Sequence, residues 1–297
     1  MPFEIMPGVR YRMPVVFGPA PGPRQKADGK LWSLEETGTM RAEWMTVKYR
    51  TDRSAIESKL PARFSLRGEP LVAVSLAYFH NLYWLAGRGY GIIIVDFPVT
   101  YQGKTERIEG AFCAVMWEGQ ADAIMTGREE LGFPKLFADI PTFKRDSHSS
   151  QGEAAWLGHR FLTLSVHEMV ETPDAAPTVP GFSGPPLYFK YMPRTGVGGT
   201  GGTDVAYVTT PLPVPGTPGD QSPIKFGGFS FRRWMAKGSV AWHRATFEQL
   251  PTTFHVINSL ADMEIHEVVD AEMVEFTGPG AGISANSLRV VEPGGER

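Results

Sequence analysis

Apolar and polar positions alternate with a period of two along much of this chain, which predicts strands rather than helices. The runs are Met45–Tyr49, Leu71–Phe79, Gly91–Phe97, Gly110–Trp117, Ala154–Leu157, Leu162–Val170, Leu187–Met192, Val205–Val208, Ser239–His243 and Met263–Phe276. Helical patterns are few and short. Asp52 is placed to cap Arg53–Lys59, which Pro61 ends. Thr126 is placed to cap Gly127–Leu131, where Glu129 and Glu130 suit the positive end of a helix. Thr246, with Gln249 three residues on, has the form of a capping box, and Pro251 breaks the short helix it would open. Gly and Pro gather in 17–30, 172–186 and 193–223. The last carries seven Gly and six Pro, so it predicts a long loop with at most one short strand inside. Such a loop is a surface insertion, or else a lid or an arm that grips a neighbouring subunit. The expectation is one domain over residues 1–297, α+β and mainly antiparallel β, with an irregular N-terminal arm to about residue 40.

Composition narrows the partners. A net charge of −3 provides no basic field for nucleic acid, and no dense Lys/Arg run is present. Cys113 is the only cysteine and lies in an apolar run, which favours a buried, inert thiol. The first residues lack the charged start and apolar run of a signal peptide, and no apolar stretch approaches the ~18 residues of a membrane span. A cytoplasmic enzyme that binds a small molecule, without membrane or nucleic acid, is the default expectation. Gly196-x-Gly198-x-x-Gly201 matches the dinucleotide fingerprint in letters. A strand pattern comes after it where a helix should open, so no nucleotide cofactor is expected. The seven histidines are scattered without the spacing of a zinc site, and no metal is expected.

The richest chemistry lies in Gly127-Arg128-Glu129-Glu130-Leu131-Gly132-Phe133-Pro134-Lys135-Leu136-Phe137. Lys135 is flanked by apolar and aromatic residues. An ammonium in such surroundings carries a large desolvation cost, and loss of its proton relieves it. The neutral amine is a nucleophile toward ketones and aldehydes. The commoner reading of a lysine beside aromatics is snorkelling, with the stem packed and the ammonium in water.

A resemblance bears on that choice. Gly-Arg-Glu, three residues, then aromatic-Pro-Lys is similar to the active-site signature of the acetoacetate decarboxylase superfamily. Leu136-Phe137-Ala138-Asp139, Tyr49-Arg50-Thr51-Asp52, Glu69-Pro70-Leu71-Val72 and Leu250-Pro251 resemble further family segments in the same order. The likeness spans roughly 40–280. It implies a barrel-like or double-sheet fold with an internal cavity, a homo-oligomer of four or more chains, and Lys135 as Schiff-base lysine.

The chain also departs from that family. Leu136 stands where true decarboxylases carry a second lysine. By the same resemblance Ile92 and Ser75 stand at glutamate positions, and Ala42, beside Arg41, at an arginine position. The decarboxylase's carboxylates are therefore expected to be missing. With the nucleophile kept, the resemblance implies an aldolase-dehydratase or retro-aldol lyase on a small oxo acid or other carbonyl compound. A β-keto acid decarboxylase and a non-catalytic binding protein are the alternatives. Tyr90 is a candidate proton donor, set against simple aromatic packing. Arg128, Glu129, Phe133, Arg41 and His80 are candidate substrate contacts, with Arg128 and Glu129 alternatively an ion pair that positions the lysine loop.

Overall fold

A computed structural model describes residues 4–173, 181–196, 201–212, 228–280 and 288–291. The strands are β1 Thr39–Arg50, β2 Phe64–Leu66, β3 Leu71–Leu82, β4 Arg88–Gln102, β5 Arg107–Glu118, β6 Lys135–Phe137, β7 Lys144–Arg145, β8 Ser149–Trp156, β9 His159–Glu171, β10 Pro186–Pro193, β11 Thr203–Pro211, β12 Ser230–Trp242, β13 Glu267–Pro279 and β14 Leu288–Val290. They join into one sheet in the order β14-β11-β10-β5-β4-β3-β1-β13-β12-β9-β8-β7, with β2 added to β4 and β6 to β5. The pairings are antiparallel except β5–β6 and β5–β10. The path has two ends, so the fold is mainly antiparallel β with few helices, as expected, but it does not close as a barrel.

The central strands are buried on both faces. This is why β4 reads Ile92-Ile93-Ile94-Val95 without alternation. On one face lie Met45, Val47, Leu76, Ile93, Val95 and Trp117, packed with Phe161 and Leu164 of β9. On the other lie Ala42, Trp44, Ala77, Phe79, Tyr90, Ile92 and Met116, packed with Phe133 and Tyr188. Truncating a fully buried aromatic such as Phe161 to alanine removes about 3–5 kcal/mol of stability.

Two helix starts differ from expectation. A helix α1, Leu34–Thr37, carries a capping box from Ser33, and α2 is Arg53–Glu57. The next, α3 (Ala121–Thr126), begins before Thr126 and runs through it into a π-turn over Gly127–Leu131. Thr126 is thus inside a helical segment rather than its cap. Thr246 and Gln249 do exchange the two capping-box hydrogen bonds, but around a turn; α4 starts only at Phe254 and ends at Ala261. No described helix is long and apolar enough to cross a membrane. Within 193–223 the described residues hold β11; residues 197–200 and 213–223, with most of the Gly-rich fingerprint, lie outside the described residues.

Candidate functional site

Lys135 opens β6, which runs parallel to the end of β5 with Lys135 opposite Met116. The Gly127–Leu131 turn delivers it there. Gly132 closes the turn in the left-handed region at φ 82°, and Phe133 N–H donates to the Gly127 carbonyl (3.1 Å). Pro134 then offers its carbonyl to Met116 N–H (3.1 Å). These bonds turn the Lys135 side chain inward, where only 6% of the residue is exposed. The snorkelling alternative does not hold. The side chain lies across Gly127: a β-carbon there would sit 2.5 Å from Lys135 Nζ. Any larger residue at 127 would occupy the amine's place.

Lys135 Nζ has two polar partners. It lies 2.7 Å from Glu118 Oε1 and donates to the Ala123 carbonyl (3.1 Å). It also stands 5.2 Å from the centre of the Phe133 ring. Glu118 is 1% exposed, and its Oε2 is buried without a hydrogen-bond partner. Burial pushes the Lys135 amine below the ordinary lysine range against the pull of Glu118, and Arg24 lowers it further. Burial likewise pushes the Glu118 carboxyl up, against the pull of Lys135. Both partners are driven toward their neutral forms, an amine beside a carboxylic acid.

Sequence reasoning missed Glu118. The expectation that carboxylates are absent is corrected here: Ile92 does pack apolar beside the site, but the end of β5 supplies an acid instead. A usable signal existed. Glu118 ends the run Gly110–Trp117 on the same side as Met116, because side chains alternate along a strand.

Tyr90 shares this face. Its ring packs on Phe79 and Trp84, and its phenol is pushed well up by burial and then by Glu118. Phe133 floors the amine and meets Tyr188 at 4.1 Å. Arg128 reaches the Lys135 main chain rather than the pocket, donating to its carbonyl (2.8 Å). Glu129 offers only its carbonyl, to Lys190 Nζ (2.6 Å), so Arg128 and Glu129 form no ion pair. The glutamate that anchors the loop is Glu130, gripped by Arg12, Arg24 and Thr126.

The structure places Arg41 and His80 away from Lys135. They meet each other (3.1 Å) and Glu43, on the side of β1 and β3 that carries Met45 and Leu76. Lys135 lies behind the opposite side. A depression of about 510 Å³, lined by Tyr78, Tyr90, Gly91, Ile140, Glu153 and Gly158, contains neither Lys135 nor Glu118. Paired buried groups displaced from their ordinary protonation are a more specific candidate than an open hollow. Asp52, Glu264 and His266 also cluster, all exposed, with His266 Nε2 3.0 Å from Asp52 Oδ1.

The sequence profile of the acetoacetate decarboxylase (ADC) family matches residues 13–279. The chain belongs to the acetoacetate decarboxylase family. Solved structures agree in fold at low identity. Acetoacetate decarboxylase from Legionella pneumophila is 18% identical at TM-score 0.61, covering 87% of this chain and 89% of its own. An acetoacetate decarboxylase-like enzyme from Sphingomonas wittichii RW1 is 16% identical at 0.58, covering 86% and 92%. The enduracididine biosynthesis enzyme MppR, complexed with the condensation product of pyruvate and imidazole 4-carboxaldehyde, is 16% identical at 0.56, covering 85% and 88%. No curated protein matches the sequence. Membership in this family and these neighbours together point to an enzyme.

Proposed function

We propose that this chain is a lyase that forms a Schiff base between Lys135 and a small carbonyl substrate, with Glu118 carrying protons. The observation that carries this is the buried contact of Lys135 Nζ and Glu118 Oε1 at 2.7 Å, with Glu118 Oε2 left unpaired. The neutral amine adds to the carbonyl carbon, and the carbonyl oxygen takes the Glu118 proton. The nitrogen returns a proton to Glu118. The acid then protonates the carbinolamine hydroxyl, and water leaves. The product is an iminium, an electron sink.

From that iminium, retro-aldol cleavage needs a base to take the β-hydroxyl proton. The Cα–Cβ electron pair flows into the iminium and an aldehyde departs. Dehydration instead removes the Cα proton and expels the protonated hydroxyl as water. Both use one proton carrier beside the nitrogen, and Tyr90 on the same face is the second donor. An aldol-type reaction is favoured because MppR, of the same fold, holds a condensation product of pyruvate and an aldehyde.

Decarboxylation of a β-keto acid is the second reading, since Glu118 restores a carboxylate beside the lysine. The homo-oligomer belongs to the same proposal. Phe17, Leu31 and Leu34 of the arm are 85%, 78% and 78% exposed, a surface suited to a second copy and readable by light scattering.

Borohydride trapping with intact-mass readout tests the core claim. Wild type and Lys135→Ala are incubated with pyruvate, other small oxo acids and aldehydes. A reduced adduct is expected on wild type and absent from the variant. An unmodified wild type across the panel would leave a binding protein on this fold. Acetone released from acetoacetate faster than any aldol turnover would put decarboxylation first.

A further inference from the structure

The strand register brings another carboxyl to the face that carries Lys135. Lys135 pairs with Met116, Met116 with Ile94, and Ile94 with Ser75. Two residues along β4, the next row on that face is Ala73, Asp96 and Cys113. A β-bulge serves this row. Val95 faces Val115 and Asp96 faces Cys113, so Ala114 is the extra residue. It reverses the parity of β5: Cys113 and Met116 both join the cluster on the Lys135 side, with Ala114 and Val115 on the opposite one.

Asp96 is not satisfied there. Its Oδ1 is buried without a hydrogen-bond partner. The thiol opposite, Cys113, donates instead to the Val115 carbonyl inside the bulge (3.8 Å). Ile94 and Asp96 are partly exposed, while Ile93, Val95 and Phe97 of the same strand are fully buried, so there is open space in front of these two. The lining of that space leads to the amine. Burial, then Cys113 and Asp96, push the Tyr188 phenol up, and Tyr188 packs on Phe133, the ring beneath Lys135 Nζ. A buried acceptor left unmet is costly to a fold, and the cost is offset when a ligand donates to it.

We infer that Asp96 is a specificity residue of the Lys135 site, accepting a hydrogen bond from a neutral hydroxyl on the far part of the carbonyl substrate. This rests on the Schiff-base reading and narrows it. The two rows are two residues of strand rise apart, about 7 Å. The hydroxyl is therefore several bonds from the carbonyl carbon, and the substrate is a hydroxylated carbonyl compound rather than a bare short-chain one. Ile94, Cys113 and Tyr188 around Asp96 carry no charge, so an ammonium there would be desolvated at high cost, and a neutral hydroxyl is the better donor.

Borohydride trapping on the full chain tests this with a matched pair. One is 4-(hydroxymethyl)benzaldehyde, whose rigid ring carries a hydroxyl toward the next row. The other is 4-ethylbenzaldehyde, of the same shape with a methyl for the hydroxyl. Adducts are counted only where Lys135→Ala loses them. Wild type should reach half-maximal trapping at about 10- to 100-fold lower concentration of the alcohol than of its twin, the worth of one hydrogen bond to a carboxylate. Asp96→Val should lose that preference. Asp96→Asn, which keeps the shape and a weaker acceptor, should lose part of it. Melting curves establish which variants are folded.

No preference in wild type, or a preference unchanged in either folded variant, would overturn the assignment. So would a 2-butanone adduct without an adduct from either ring, since no room would then lead to Asp96. A wild type that forms no adduct with any of the three carbonyls would remove the Schiff-base reading instead. Calorimetric binding of 4-methylbenzyl alcohol, which cannot form an imine, then decides for Asp96. Affinity that falls in a folded Asp96 variant keeps the acceptor, and equal affinity, or no binding at all, overturns it.

Discussion

Two charged clusters lie on opposite faces of the central sheet. Glu43 at the rim of one face is surrounded by Arg41, His80 and Arg145, and Arg145 continues to Glu275 and stacks on Trp234 with Arg232. Glu43 itself is buried, but its partners reach solvent, Arg41 most of all, and it is shared among three cationic side chains. Lys135 and Glu118 on the other face have one ionic partner each, almost no water, and one carboxylate oxygen with nothing to bond. Charge alone does not distinguish the two. Several partners at a solvent-reaching rim satisfy a charge, while a single partner in an apolar pocket displaces protons and leaves an acceptor open.

That contrast can be broken at several points. Glu118→Gln keeps the shape and removes the transferable proton, so turnover should fall about 100- to 10,000-fold. Because Glu118 raises the Lys135 pKa, its loss should also move the onset of adduct formation to lower pH, read from a trapping profile. Gly127→Ala places a methyl at 2.5 Å from Nζ, and the displaced lysine should lose about 100-fold in adduct rate.

Asp96, opposite Cys113, sharpens the contrast through stability. Burial raises its carboxyl from 3.8 to about 7. A raised folded-state value means the fold prefers the protonated acid. That stabilisation is fully present below about pH 4 and is lost as pH rises through about 7. Asp96→Asn should remove this pH dependence, worth at most about 4 kcal/mol, in denaturation midpoints across that range. The smallest effect belongs to the rim: His80→Ala should leave adduct formation unchanged and move stability by no more than about 1 kcal/mol.

Much of this was legible in the chain, for identifiable reasons. The strand centres show in the period of two. Their ends do not, because partners extend them past the apolar run: β12 begins at Ser230, through Arg232 and Arg233, because β13 pairs with it there. Lys135 stands out because its neighbours in sequence are also its neighbours in space. Glu118 does not, because its contact depends on a three-residue strand too short to carry a pattern. Arg41 and His80 fall on the far face from Lys135 by parity: a strand position one residue away faces the other side. Arg24 sits in a segment without periodicity, where only tertiary contact gives it meaning.

The pairing of β1 with β13 sets a schedule. Thr39 meets Pro279, and Trp44 meets Val274, so an inner strand of the sheet has one open edge until synthesis has passed residue 279. Val274 and Phe276 belong to the apolar cluster that holds Phe133 and Tyr90. A nascent chain that already contains Lys135 therefore lacks part of the wall that dries it. On the ribosome that lysine is an ordinary hydrated cation, and its dry surroundings arrive only with β13.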